Sequence, residues 1–100
     1  MIKGTTPIHV FNIPLKASEI QNVEITYSQS DEVILQKGVA DCIIEDDRIT
    51  VKLTQEDTLK FNHKKKVQFQ IRVLTVEGVA MSSRVMFMEA EQCLSNEELA

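Results

Sequence analysis

Four side chains in this sequence are soft metal ligands or partners for nucleophilic chemistry: His9, Cys42, His63 and Cys93. A structural zinc site usually takes its ligands in close pairs, because two side chains a few residues apart can close on one tetrahedral ion. None of the four stands at such a spacing. Cys42 with either histidine could in principle form a nucleophile–base pair. It lies in the apolar run from Val39 to Glu45, where a buried thiol keeps its proton and is inert. Cys42 and Cys93 are 51 positions apart. A sandwich can bring such a pair together across its sheets, whereas a reducing compartment keeps both as thiols.

The remaining polar clusters are equally plain. Asp46-Asp47 and Glu56-Asp57 are carboxylate pairs of the kind hard cations prefer, but no glycine-bearing calcium loop surrounds either. The chain has 3 glycines, Gly4, Gly38 and Gly78, too scattered to cradle a phosphate. Lys64-Lys65-Lys66 precedes a strand and reads as a solvated turn that guards against edge-to-edge pairing. Net charge is −4, from 11 basic and 15 acidic residues. That balance opposes a nucleic-acid partner, which favours a basic face. With no tryptophan and 1 tyrosine, a stacking platform for bases is also missing. The expectation is no catalytic residue, no cofactor and no metal.

The elements around these residues read as strands. Val67, Phe69, Ile71 and Val73 alternate with Gln68, Gln70 and Arg72, the period of a strand with one face buried and one wet. This is the cleanest alternation in the chain and is expected to be a central strand. Its wet face, Gln68, Gln70 and Arg72, is rich in amides; it is either simply solvated or a surface for a partner or second copy. Further strands are expected at Pro7–Pro14, Ile20–Gln29, Val33–Lys37, Val39–Glu45, Ile49–Leu53 and Val79–Met88. The prolines bracketing the first suit an edge or a strand end. Gln29-Ser30-Asp31-Glu32 predicts a hairpin loop of about three to five residues. Ser18 could cap a short turn before the second strand.

Thr54-Gln-Glu-Asp57 predicts a capping box: the Thr54 hydroxyl accepts from the Asp57 amide and the Asp57 carboxylate reaches back. Leu59 and Phe61 would then plug the core. Residues 1–6 read as a flexible lead-in. The last strand holds three of the four methionines, which either fill gaps in the core or form an adaptable binding surface. Residues 91–100 read as an acidic tail, with Ser95 able to cap one frayed helical turn.

About seven strands joined by turns, with no long helix, predict one antiparallel β-sandwich domain over residues 1–90. An immunoglobulin-like sandwich fits the size. No apolar run reaches the roughly 18 residues of a membrane span, and the N-terminus lacks the apolar core of a signal peptide. The chain is therefore expected to be made, and to stay, in a cytoplasm unless something carries it out.

Leu53-Thr-Gln-Glu-Asp-Thr-Leu-Lys-Phe61 resembles the corner between the fifth and sixth strands of immunoglobulin domains, where Leu-x-x-Glu-Asp-Thr-x-x-Tyr is common. Phe61 stands in place of the tyrosine, and His63 where a cysteine follows. The opening Gly-Thr-Thr-Pro-Ile-His-Val-Phe, the Ile-Thr-Tyr-Ser-Gln segment and Gln-Ile-Arg-Val-Leu-Thr-Val-Glu-Gly resemble small proteins of phages and prophages of Gram-positive bacteria. These are similar in style to the N-terminal immunoglobulin-like domain of baseplate upper proteins. The resemblance spans most of residues 4–88. It implies a non-enzymatic virion module docking on tail, baseplate or head proteins, with other virion proteins or its own copies as partners. By its implication the chain sits in the bacterial cytoplasm during assembly and then in the virion. An adhesion or carbohydrate-binding module is the alternative, with Tyr27 as its one candidate stacking ring.

Overall fold

In the computed structural model, which describes residues 1–99, the strongest alternation in the sequence forms the longest-paired strand. Eight strands and one short helix follow in order: β1 (Ile8–Asn12), β2 (Ile20–Gln29), β3 (Glu32–Gly38), β4 (Cys42–Glu45), β5 (Arg48–Lys52), α1 (Gln55–Leu59), β6 (Lys66–Thr75), β7 (Ala80–Ser82) and β8 (Met86–Glu89). They make two antiparallel sheets. One is ordered β1-β5-β4; the other is β3-β2-β6, with both β7 and β8 on the far side of β6. The all-β sandwich expected from the sequence is what the chain forms.

The core lies between the sheets. Phe11, Ile49, Val51 and Leu53 come from the smaller sheet and its exit; Val23, Ile25, Tyr27, Leu35, Val67, Ile71 and Val73 come from the larger. On β6 the inward set is the one the alternation predicts. Each buried Val, Ile, Leu or Phe contributes roughly 1.5–3 kcal/mol relative to exposure. Among the described residues, no helix is long and apolar enough to cross a membrane.

Several connections differ from expectation, each for a local reason. The β2–β3 loop has two residues, not three to five: Gln29 pairs with Glu32, and Ser30 and Asp31 both adopt positive φ, 50° and 63°. Two left-handed residues match the twist of flanking strands in a tight hairpin. Residues Val39–Asp41 form a 3₁₀ turn rather than the start of β4, with the Asp41 carboxylate accepting from the Gly38 amide at 2.9 Å. That turn carries the chain from one sheet to the other. The short turn Ala17–Glu19 is not capped by Ser18; Asp46 Oδ1 accepts from the Ala17 amide across the loop at 2.9 Å.

The hairpin also sets the strand order. In the constant-type immunoglobulin arrangement the second strand pairs with the fifth. Here β2 pairs with β3 and β6.

The expected last strand is two. Registers Arg72↔Ser82 and Phe69↔Met86 differ by one residue, so Ser83–Val85 oppose Gln70 and Ile71 as a bulge. The bulge reverses the inward parity: Met81 faces in before it, Met86 and Met88 after it. Phe87, on the other parity, is 60% exposed.

The N-terminal segment is tied down rather than loose. Lys3 N donates to Glu91 O and Glu91 N to Met1 O, making an isolated parallel bridge at Ile2–Glu91. Gly4 takes φ +78°, with Cys93 Sγ and Leu59 Cδ2 each 3.5 Å from where a Cβ would stand. In the tail, Gln55 exchanges two hydrogen bonds with the Leu99 backbone. Ser95 Oγ accepts from Glu97 N, but no helical turn forms there.

Candidate interaction surfaces

The corner after β5 is held by side chains. Thr54 Oγ1 accepts from the Asp57 amide at 3.0 Å and Asp57 Oδ2 accepts from the Thr54 amide at 2.9 Å. This is the predicted capping box. Lys37 Nζ on β3 lies 2.8 Å from the same carboxylate oxygen, with both side chains largely buried. Burial pushes the Asp57 carboxyl up, but the Lys37 ammonium and the Thr54 donors outweigh it and hold it below the usual range. Thr58, fully buried, accepts from the Gly4 amide and donates to the Thr5 carbonyl, both at 2.9 Å. Phe61 is buried edge-on against Tyr27, ring centroids 6.0 Å apart.

A cluster of rings joins the sheets. Tyr27 and His9 both lie roughly parallel to Phe69, at 6.0 and 6.3 Å, and Phe11 meets it edge-on at 6.2 Å. The His9 Nδ1 and Tyr27 hydroxyl are 2.6 Å apart. Burial lowers the His9 pKa and raises that of Tyr27. A neutral imidazole can take either role here: its Nδ1 lone pair accepts from the hydroxyl, or its Nδ1–H donates to it, according to the tautomer. The pair satisfies a buried phenol.

The remaining chemical candidates are dispersed. Cys42 and His9 both flank Val51 in the sheet register, on opposite neighbours of β5. Two strand spacings put them on the order of 10 Å apart, beyond hydrogen-bond reach. Cys42 Sγ donates to Gly38 O at 3.3 Å, and burial pushes its thiol pKa up. Both cysteines are free. Of the carboxylate pairs, Asp46 tethers a loop and Asp57 an ion pair. Among the described residues, no three His, Cys, Asp or Glu side chains gather around a common point suited to a metal.

Gln68, Gln70 and Arg72 share the outer face of the larger sheet and are each engaged there. Gln68 Oε1 accepts from Ser28 Oγ at 3.3 Å, and Gln70 Nε2 donates to Ser83 O at 2.9 Å. Arg72 lies 3.6 Å from Glu24. The row through Gln68 ends in exposed apolar groups, Val33 on one side and Phe87 on the other. The outer face of the smaller sheet carries a second apolar set: Ile8, Val10 and Ile43 are 61%, 51% and 64% exposed. Val10 and Ile43 flank Thr50 in one cross-strand row.

A third surface lies at the β1 edge. Between β1 and the β7–β8 edge runs an open groove of about 430 Å³, floored by Ile71, Val73, Met81 and Met86. No protein-family model, curated protein or solved structure matches this chain.

The sequence did not mark this groove, because it depends on how far one sheet overhangs the other. Only the methionine-rich strand hinted at it. Gln29 was also missed: it reads as a turn residue but is buried. Its amide donates to the Asn62 and Lys65 carbonyls at 2.7 and 2.9 Å, and its oxygen accepts from the Asn62 amide at 2.8 Å.

Proposed function

We propose that this chain is a non-enzymatic docking module of a phage or prophage particle: a tail, baseplate or head accessory protein that acts through protein–protein contacts. The observation that carries the reading is that five of the exposed apolar groups stand on the outer faces of the sheets. Ile8, Val10 and Ile43 stand on one sheet, and Phe87 and Val33 border the amide row of the other. They are held on paired strands rather than loops, as a preformed contact surface requires. The sequence resemblance over residues 4–88 supports the same assignment and supplies the partners: other virion structural proteins, or further copies of the chain. The module resides in the bacterial cytoplasm during assembly and in the virion afterwards.

The carbohydrate-binding alternative needs an exposed ring for sugar stacking. Tyr27 is fully buried and engaged by His9, which leaves only Phe87 for that role. Mass spectrometry of purified particles from an induced prophage that encodes the chain tests the proposal. Peptides of this chain alongside the major structural proteins are expected; particles free of it would overturn the reading.

A further inference from the structure

The two sheets differ in width. β1 lies over β6, since the His9 and Phe11 rings both meet Phe69. β4 lies by β3, where Cys42 Sγ reaches Gly38 O. The smaller sheet has three strands against five in the larger, and β7 lies beyond β6, past the strand that β1 overlies. The uncovered step is the groove of about 430 Å³ between β1 and the β7–β8 edge.

The rim of the groove is a backbone edge with defined polarity. Leu53 N donates to Pro7 O, and Ile13 N donates to Asp47 O. With the register His9↔Val51 and Phe11↔Ile49, residues 7, 9, 11 and 13 turn their backbone groups toward β5. The alternation of an antiparallel ladder then turns the N–H and C=O of Ile8, Val10 and Asn12 to the open side. These groups ask for an extended backbone. The groove lining contains no Asp, Glu, Lys or Arg; apart from Asn12, Ser82 and Ser83 its side chains are apolar. An occupant's inward side chains must therefore be uncharged and largely apolar.

We propose that the β1 edge and this groove accept an extended segment of a partner protein as a fourth strand of the smaller sheet. The segment alternates apolar residues, which cover Met81, Met86, Ile71 and Val73, with residues that face outward beside Ile8 and Val10. Five residues of β1 offer about 17 Å of pairing length, and main-chain bonds supply affinity while alternate pockets select side chains. A second copy's edge strands cannot fill the same role. The inward residues of its β1, β3, β4 and β8, Phe11, Leu35, Ile44 and Met88, are already packed in or against their own core, and its β7, Ala80–Ser82, is too short to alternate, with Met81 as its one inward side chain. The methionines suit the task, because unbranched thioether side chains adapt to different partner residues. This inference deepens the docking reading and rests on it.

The test uses blocked nine-residue peptides that alternate Val, Ile or Leu with Thr and Ser, beside scrambled controls. They are titrated into the full chain and followed by amide exchange and methyl NMR. Alternating peptides are expected to slow exchange at Ile8, Val10 and Asn12 and to shift the Met81 and Met86 methyl signals. Scrambled peptides should do neither. Val10→Pro removes an edge donor without touching the β5 ladder, and Met81→Lys places a charge in the groove. Each should weaken binding by about tenfold or more, and Met81→Lys keeps the test open if the proline variant does not fold. Peptides that leave the edge amides unchanged, or that bind elsewhere, would overturn the inference. So would protection of the edge that rises with protein concentration alone, since a second copy would then be the occupant. A silent groove on a chain found in particles sinks only this inference; absence from particles sinks the docking reading.

Discussion

Protonating His9 would place a charge on a ring stacked over Phe69 and would leave its Nδ1 able only to donate to the Tyr27 hydroxyl. The folded state holds the His9 pKa below its ordinary value because the ring is buried. Between the folded and unfolded values the unfolded chain binds more protons, so stability rises with pH there. The stabilisation is complete above the unfolded value of about 6.5 and is lost as pH falls through the folded one. Urea unfolding from pH 7 to 5 should show this decline, and His9→Gln, neutral throughout, should flatten it. Asp57 acts at lower pH with the same sign. Its depressed carboxyl contributes stability above the unfolded value of about 4 that disappears on acidification through the folded value. Asp57→Asn should cost about 1.5–3 kcal/mol, measured by the same unfolding curves at pH 7. The capping half of this site was legible because Thr54 and Asp57 are three residues apart. Lys37 was not, because its contact with Asp57 exists only once β3 and the corner are in place.

At the scale of elements, legibility followed exposure. β2, β5 and β6 each have one wet face, and their alternation marks the inward residues directly. Val79–Met88 has apolar groups on both parities. A bulge is defined by the partner strand's count of residues, so the strand's own pattern could not separate β7 from β8. The β2–β3 loop misled for a related reason: Gln29 is polar yet its side chain belongs to the interior. Three hydrogen bonds to the Asn62–Lys65 backbone occupy its amide. Gln29→Leu should therefore cost about 3 kcal/mol despite adding apolar surface, because it strands buried donors and acceptors. Faster exchange of the Asn62 amide in that variant, read by NMR, would locate the loss. The amides on the outer face of β6 are bonded to Ser28 and Ser83, which explains why that face is polar without being highly exposed.

For the molecule as a whole, fold class was readable and the groove beside β1 was not. Strand count and turn spacing lead to a sandwich, but the relative width of its sheets depends on which strands pair. The tight Ser30-Asp31 hairpin puts β2 beside β3 and leaves three strands for the other sheet. One consequence is an uncovered apolar step beside a free backbone edge. Docking on a particle partner through the β1 edge is tested by amide hydrogen exchange of the chain in purified particles, compared with the free chain. Slowed exchange at Ile8, Val10 and Asn12 is expected in the particle, with the buried amides of β6 unchanged. Equal exchange at that edge in both states, or a chain that does not enter particles, would contradict it.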